Sequence, residues 1–532
     1  MTNSGRLISL LFTKSEYDIM EQPILNGLIQ YNTEGSYPWH MPGHKRRLNT
    51  IFPDMVENPF SIDVTEVGEL DELHDPSGII KKAEDRAAKV YGSDKSYYLV
   101  NGATCGIMAA VSAVCNHGDT IIISRNSHKS VYNVIRLLGL KAVYILPEWN
   151  DELCMFGGIS PDSVKKAVKE HPHAKAVLIV SPTYEGVVSD VEKISKIVHK
   201  EKMPLIVDEA HGAHFEYMSN VVETISATNY KNVAKPAIRL GADIVVESLH
   251  KTLPAMTQCA ILHMKKGYVN EKKLDEFVSL YQSTSPSYVF MATMEACIEK
   301  MDFERDGKFL VFKQLVMDYR KKFAELANIH LVGGDDFKKY SNSDYDYTRF
   351  VFSVKNCGME TEDGVVPVTG QMLADILEKE YGQMMEMAGG NYVVAISTIA
   401  DSKEAFESLL LAMETIDKQL MNYSYEADTI LYDSLPEKRM EIYEAGTKAE
   451  IRVPLDDAVG RVSSDFIFVY PPGIPFVTPG EVLSKDCIRG IKRAIEFGRN
   501  VKGVTSEGAN KNYVNVVKEI RNSWLPIRKK RI

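Results

Sequence analysis

The chain has 532 residues, of which 45% are hydrophobic and 25% are charged, and its formal net charge is −10 at pH 7. This composition is ordinary for a globular protein, and the length predicts two or three structural units rather than one small domain. The acidic balance argues against nucleic-acid binding, so we interpret the basic RKKRI terminus as a solvated tail.

The cysteines and the apolar stretches argue against further classes of protein. There are seven cysteines, an odd number, and no two form a CxxC motif, so neither a disulfide framework nor a metal site is expected. A reducing, cytoplasmic location fits this usage, and the N-terminus lacks the cleavage site of a secretory signal. The uncharged stretch 96–117 is long enough to cross a bilayer. Polar and glycine residues at its centre predict a strand, a turn and a buried helix instead, so we expect no membrane association.

Helical periodicity comes first along the chain, followed by a long alternation of helices and strands. SEYDIMEQPILNGLIQYN predicts a leading helix, and a loop rich in Pro, Gly and His follows over residues 37–53. The predicted helices are KKAEDRAAKVYG, GIMAAVSAV, SVYNVIRLLG, PDSVKKAVKEH and VEKISKIVHKE. The predicted strands are SYYLV, TIIIS, AVYIL, AKAVLIV, PLIVD and GADIVVES. This alternation predicts an α/β fold with a mostly parallel sheet and helices on both faces.

The pattern changes after Ser287. Two long helices, FMATMEACIEKMDF and KFLVFKQLVMDYRKKFAEL, are predicted before the strand TRFVFSV. We therefore predict a helical segment over residues 1–35, a major domain over 36–330 and a C-terminal α+β domain over 331–532.

Polar residues follow several predicted strands, at the sheet edge where ligands bind in open parallel sheets. NGATCG follows the first strand, and its Thr104 at a helix start indicates either a phosphate site or an ordinary N-cap. His128 follows TIIIS, where a lone histidine is more often a local cap than a ligand contact. Asp208 ends an apolar strand, and a carboxylate buried there is costly unless it meets a positive partner.

Lys251 raises the main question of the sequence. It is either an ordinary loop lysine or a chemically used amine, because apolar flanks lower a lysine's pKa and make it nucleophilic. Pyridoxal 5′-phosphate is the one ligand that fits all the polar residues at these strand ends. Its phosphate would meet Thr104, Ser248 and His250, its ring His128, its ring nitrogen Asp208, and its aldehyde Lys251.

Ordered motifs cover nearly the whole chain from about residue 35. They are MPGHK (41–45), DVTEVGELDELHDPSG (63–78), NGATCG (101–106), RNSHKS (125–130), PTYEGV (182–187), VDEAHGAH (207–214), SLHKTLPAMTQ (248–258), STSPSY (283–288), and YPPGIP with PGE (470–475, 479–481). On these motifs the chain resembles the pyridoxal-phosphate-dependent Orn/Lys/Arg decarboxylases. The resemblance implies a fold type I major domain. It also implies the shorter biosynthetic type, because MPGHK begins too early for an N-terminal wing domain.

The resemblance also implies roles for individual residues. Lys251 would bond to the cofactor aldehyde, Asp208 would pair with the pyridine nitrogen, and His128 would stack on the ring. The phosphate would be held by Ala103, Thr104, Ser248 and His250, with Ala210 and His211 near the ring. STSPSY, including Thr284, would reach the active site of a partner subunit, which implies a homodimer or an assembly of dimers with shared sites. One departure is Gly-Ala-Thr in the phosphate turn, where Gly-Ser-Thr is common.

The function that follows from this resemblance is decarboxylation of a basic L-amino acid. Arginine, giving agmatine for polyamine metabolism, is preferred, and lysine and ornithine stay open. Another enzyme on the same scaffold, such as an aminotransferase or lyase, and a non-catalytic regulator are the alternatives. SLHKTLPAMTQ with STSPSY favours the decarboxylase. The acidic segment DVTEVGELDELHD is either a solvated acidic loop or a source of carboxylates for the cationic head group, with Glu66 or Asp71 as the residues to test.

Overall fold

The structure of the protein is a computed structural model. It describes residues 24, 28, 31, 35–47, 59–68, 70–219, 234–340, 342–362, 364–424, 435–470, 474–496, 499–507 and 511–518. Ile24, Leu28 and Tyr31 are helical, but the rest of the predicted leading helix lies outside these residues. Glu69 and part of the YPPGIP motif also lie outside them.

A seven-stranded sheet forms the centre of the first part of the molecule. Its strands in chain order are β1 (Lys95–Leu99), β2 (Thr120–Ser124), β3 (Lys141–Ile145), β4 (Val177–Val180), β5 (Leu205–Asp208), β6 (Ile244–Glu247) and β7 (Ala260–Met264). The order across the sheet is β1-β7-β6-β5-β4-β2-β3. Only β7 runs antiparallel to its neighbours within this sheet. The predicted mostly parallel sheet is confirmed.

Helices cover both faces of this sheet because its strands are apolar on both sides. Ile121, Ile122 and Ile123 of β2 are completely buried, and they divide between two hydrophobic cores. The helices are α1 (Ile79–Tyr91), α2 (Gly102–Val114), α3 (Lys129–Leu138), α4 (Pro161–Glu170), α5 (Val191–Lys200), α6 (Glu271–Leu280), α7 (Tyr288–Phe303) and α8 (Lys308–Phe323), with short turns at Phe215–Ser219, Ala237–Leu240 and Leu249–Thr252. The uncharged stretch 96–117 forms β1 and α2, and within the described ranges no helix is long and apolar enough to cross a membrane.

A second, antiparallel sheet follows α8. Its strands are β8 (His330–Leu331), β9 (Arg349–Ser353), β10 (Met387–Ala388) and β11 (Tyr392–Ile396), in the order β8-β9-β11-β10. Helices α9 (Gly370–Tyr381) and α10 (Lys403–Asp417) accompany it. Phe350 and Phe406 belong to one hydrophobic core that also includes residues of α1, α7 and α8, so this sheet is fixed against the first part of the molecule.

Short strands and turns complete this region. Tyr37–Trp39 pairs with Gln383–Met385, Trp149–Asn150 with Met155–Phe156, and Val187–Ser189 with Asn342–Tyr345, and Cys357–Thr361 lies between Gly364–Pro367 and Leu420–Asn422. Single 3-10 turns lie at Pro59–Ser61 and Gly334–Phe337.

The last part of the described chain has its own small core. It contains α11 (Ile442–Thr447), α12 (Lys485–Glu496), a 3-10 turn at Leu455–Ala458, the strands Glu450–Pro454, Val504–Glu507 and Lys511–Val517, and the strands Ile467–Tyr470, Pro475–Val477 and Asn500–Lys502. A buried ion pair ties it to the first part, because Arg125 NH2 lies 2.8 Å from Glu481 Oε2. The RNSHKS and PGE motifs therefore meet in space.

Candidate active site

Three strands deliver polar side chains to one edge of the main sheet. Asp208 is the last residue of β5, and Ser248, His250 and Lys251 follow directly after its neighbour β6. His128 follows β2 and caps α3. The sheet topology thus brings the predicted residues to the carboxyl ends of parallel strands, which is the usual ligand-binding edge of such sheets.

The amine of Lys251 is desolvated, and charged groups of both signs lie near it. Its Nζ is 3.0 Å from Nε2 of His211. Burial lowers the pKa of the Lys251 amine, while the nearby Asp208 and Glu386 carboxylates oppose this and Arg349 reinforces it. A lowered pKa increases the fraction of neutral, nucleophilic amine.

Asp208 and His128 both influence this amine electrostatically. Asp208 is buried, and its Oδ1 accepts a hydrogen bond of 3.2 Å from the backbone of Ala210. His128 keeps an exposed side chain, and its Nδ1 accepts from the backbone of Ser130 at 3.3 Å. Desolvation lowers the pKa of His128, Asp208 raises it and Lys251 lowers it, so these three groups interact electrostatically.

The NGATCG turn lies beside the lysine segment. The Gln258 amide donates to the Val100 carbonyl oxygen over 2.6 Å, which ties the two motifs together. Ala103 and Thr104 occupy the first turn of α2, and this helix has no side-chain cap. Among the residues that the structure describes, no side chain accepts from its first backbone N–H groups, and the Thr104 side chain is exposed next to them.

Two further predicted residues flank the lysine. Ser248 is buried at the start of the short turn that carries Lys251, and its side chain does not cap that turn. His250 Nδ1 donates to the Cys259 carbonyl oxygen over 3.0 Å, so its Nε2 is the ring atom left to face a ligand. Burial lowers the pKa of His250, the Cys259 carbonyl raises it, and Lys251 lowers it.

The MPGHK motif packs directly on the lysine segment. The Gly43 backbone N–H donates to the His250 carbonyl oxygen over 2.8 Å. A Cβ on Gly43 would lie 2.6 Å from the Leu253 carbonyl oxygen, so only glycine fits this approach. The buried ammonium of Lys45 links the motif to the second sheet. Its acceptors are the carbonyl oxygens of Pro38, His40 and Ile396.

The structure adds residues that the sequence analysis missed. Glu386 Oε2 accepts from the backbone of Met41 over 2.8 Å, and Oε1 accepts from the Tyr184 hydroxyl. The Tyr184 ring lies 4.6 Å from the ring of His211, and Arg349 contacts the other side of that histidine. The sequence could have pointed to Tyr184, because this residue belongs to the PTYEGV motif. Glu386 and Arg349 lie in segments without a recognisable motif.

The STSPSY loop lies at the rim of the site. The Ser283 backbone donates to Asn101 Oδ1 over 3.3 Å, and its carbonyl oxygen lies 2.8 Å from His74 Nε2. Thr284 is exposed on this loop. The loop thus joins the NGATCG turn to the acidic segment 63–78 within one chain.

Asp71 has a structural task, and the predicted contact of Glu66 or Asp71 with substrate stays a prediction. Its Oδ2 accepts backbone bonds from Gly78, Ile80 and Lys81 over 2.7, 2.9 and 3.2 Å. These contacts stabilise the start of α1 and lower the pKa of Asp71 despite partial desolvation. Because these bonds occupy Asp71, Glu66 is the residue of that pair that stays available, with Oε1 buried and without a hydrogen-bond partner among the described residues.

Comparison with known proteins decides the family. Residues 22–405 match the description "Orn/Lys/Arg decarboxylase, major domain", and residues 425–518 match "Orn/Lys/Arg decarboxylase, C-terminal domain". The chain belongs to the Orn/Lys/Arg decarboxylase family. It is therefore a decarboxylase of basic amino acids, and the predicted family and enzyme class are confirmed.

Individual relatives are similar in sequence or fold to this chain over most of their length. The chain is 30% identical to arginine decarboxylase of Bacillus anthracis over 518 residues, covering 96% of this chain and 99% of that one. It is 31% identical to arginine decarboxylase of Bacillus subtilis (strain 168), covering 94% and 98%. The constitutive lysine decarboxylase of E. coli has the same fold, with a TM-score of 0.70, 21% identity, and coverage of 95% of this chain and 83% of that one. The predicted fold class is confirmed.

Proposed function

We propose that this chain converts L-arginine to agmatine and CO2, using pyridoxal 5′-phosphate held at Lys251. The observation that carries the proposal is the position of the Lys251 amine. It is desolvated, 3.0 Å from His211 and electrostatically coupled to Asp208 and His128. The cytoplasm and polyamine-related metabolism are the proposed setting, in keeping with the reduced cysteines and the product.

The residues present fit this cofactor. Thr104 is exposed at an uncapped helix N-terminus, which favours an anion, and Ser248 adds a buried hydroxyl close to Lys251. These groups, with Ala103 and His250, would hold the phosphate. Ala210 and His211 would lie near the ring, because His211 contacts Lys251 and Ala210 contacts Asp208.

When bound, the cofactor supplies an electron sink for the electron pair left by the departing CO2. The Asp208 carboxyl group is buried at the strand end, where a carboxylate would stabilise a proton on a facing nitrogen. His128 offers an exposed ring face for stacking. The substrate carbon needs a proton after CO2 leaves, and the Lys251 amine beside His211 Nε2 is where this chain holds one.

Arginine is proposed as substrate on two grounds. The two relatives above that match over nearly their full length are named arginine decarboxylases. A cationic head group also needs a carboxylate partner, and Oε1 of Glu66 is buried without a hydrogen-bond partner among the described residues. Glu66 is therefore the proposed acidic contact for the guanidinium.

A substrate panel tests the proposal. The full-length protein with added pyridoxal phosphate is offered arginine, lysine, ornithine, leucine and glutamate, and CO2 release is measured. We expect the highest kcat/KM for arginine, followed by lysine. Fastest release from leucine or glutamate, or transfer of the amino group to a keto acid, would contradict it.

A further inference from the structure

A row of buried polar side chains lies behind the active-site lysine. His211 Nε2 is 3.0 Å from Lys251 Nζ, and His211 Nδ1 is 3.2 Å from NH2 of Arg349. The same NH2 group lies 3.2 Å from the His211 carbonyl oxygen. His211 is 7% exposed and Arg349 is 0% exposed, so water does not compete for these contacts.

The chemistry of arginine decides where the proton on His211 lies. A guanidinium has only donors, so Nδ1 of His211 must be the acceptor of the bond from Arg349. A neutral imidazole carries one N–H, and that N–H must then be on Nε2, the atom that faces Lys251. The Lys251 amine can accept a hydrogen bond from this N–H only if its nitrogen has a free lone pair. Only the neutral form of lysine has one.

We propose that Arg349 is a positioning residue that holds His211 in its Nε2–H tautomer, so that His211 donates a hydrogen bond to the nitrogen of Lys251. This inference rests on the proposed use of Lys251 as the reactive amine. The arrangement favours the neutral amine and directs its lone pair. It also places a proton donor beside the nitrogen at which substrate and lysine exchange.

Asp346 and its neighbours in turn fix the position of Arg349. Its backbone N–H donates to the Asp346 carbonyl oxygen over 3.0 Å, and its NH1 is 3.8 Å from Asp346 Oδ2. Asp346 Oδ1 is fixed by His214 Nε2 at 3.1 Å and by the Thr348 hydroxyl at 2.7 Å. Gly186 completes the enclosure, because a Cβ there would be 2.9 Å from Cγ of Arg349.

The electrostatics agree with this geometry. Burial lowers the pKa of His211 well below its usual range, and Lys251 and Arg349 lower it further. Burial alone would raise the pKa of the Asp346 carboxyl, but His214 and Arg349 together lower it, so Asp346 is a carboxylate. The row therefore runs from the Asp346 carboxylate through the Arg349 cation and the neutral imidazole of His211 to the Lys251 amine.

Histidine-selective 15N NMR on the full-length protein with its cofactor tests the tautomer directly. The His211 signals are assigned by their loss in His211→Gln. We expect a protonated Nε2 and an unprotonated Nδ1 in the wild type, loss of that tautomer preference in Arg349→Met, and its retention in Arg349→Lys, which keeps a donor. A wild-type His211 protonated on Nδ1 would overturn the proposal.

Measuring the reactivity of Lys251 distinguishes a positioning role of Arg349 from a simple effect of the charge of Arg349. Cofactor-free full-length protein is labelled by reductive methylation across a range of pH, and the label on Lys251 is measured by peptide mass spectrometry. We expect the neutral-pH rate to fall roughly tenfold in Arg349→Met. Asp346→Asn should also slow it, because Arg349 loses its support.

The Asp346→Asn variant decides between the two explanations. Removing a negative charge would by itself favour the neutral amine and speed the labelling, so unchanged or faster labelling would overturn the positioning role. Asp162→Asn, at an exposed position in the first turn of α4 and outside the row, is the control and should label like the wild type. Neither experiment depends on turnover, so both stay informative if arginine is not the substrate.

Discussion

Asp208 places a carboxyl group at the buried end of β5, where it interacts electrostatically with His128 and Lys251. Asp208→Asn keeps its shape but removes the charge that stabilises a proton on a facing nitrogen. We expect pyridoxal phosphate to bind while kcat falls at least about 100-fold, because such electrostatic stabilisation is a large catalytic contribution. The measurements are visible absorption of the bound cofactor and CO2 release. Near-normal kcat would refute this role.

Asp190→Asn is a suitable control for that substitution. Asp190 caps α5 by accepting from the Lys193 backbone over 3.0 Å, and asparagine caps a helix about as well. This variant should match the wild type in both measurements.

The sequence made some of these residues predictable because each follows an apolar strand within a short motif. Lys251, Asp208 and His128 all have this signature, and the structure brings them together. Arg349 and Glu386 are different, because each reaches the site only through the packing of the second sheet. A single sequence holds no local signal for contacts of that kind.

At the scale of elements, the start of α1 depends on Asp71. This helix begins after Gly78, which provides no side-chain cap, so the Asp71 carboxylate takes that place from seven residues earlier. Asp71→Ala should lower the free energy of unfolding by about 1–2 kcal/mol through loss of the cap. Thermal melting and the KM for arginine are the two measurements.

The exposed neighbour Glu72 provides the matched control. Glu72→Ala should leave the melting temperature unchanged, because its side chain is exposed and surface substitutions have small effects. An increase in the KM of Asp71→Ala with unchanged melting would instead support the substrate-binding role for Asp71.

Most element types followed from the spacing of apolar residues, but one strand direction did not. β7 is not among the predicted strands, and it enters the sheet antiparallel between β1 and β6. Hydrophobic spacing reports burial and contains no information on direction. Here the short connection through the Lys251 segment returns the chain beside β6 without a crossover helix.

At the scale of the whole molecule, the family resemblance of the STSPSY motif predicts shared active sites in a homodimer. Lys251→Ala and Thr284→Arg variants should each be inactive alone. Mixed after dissociation and reassociation, they should recover up to about a quarter of wild-type activity, because a two-fold dimer then contains one intact site in half of its population. No recovery despite proven subunit exchange would place Thr284 in its own subunit's site or outside the site.

The arrangement of larger parts was less accessible to sequence reasoning. The predicted division at residue 330 stays a prediction, and the core shared by α1, α8 and the second sheet shows how closely the two sides of that position pack. The contact between RNSHKS and PGE depends on the buried Arg125–Glu481 pair, and charges so far apart in sequence give no sign that they pair.

The central claim is that Lys251 is the amine that holds the cofactor. Borohydride reduction of the full-length protein with pyridoxal phosphate, followed by peptide mapping, tests it most directly. The chain offers two internal controls, since Lys45 and Lys313 are buried lysines whose pKa, like that of Lys251, is lowered by desolvation. We predict a single pyridoxyl label on Lys251 that disappears in Lys251→Ala. Label on Lys45 or Lys313, or label that persists in that variant, would contradict the account.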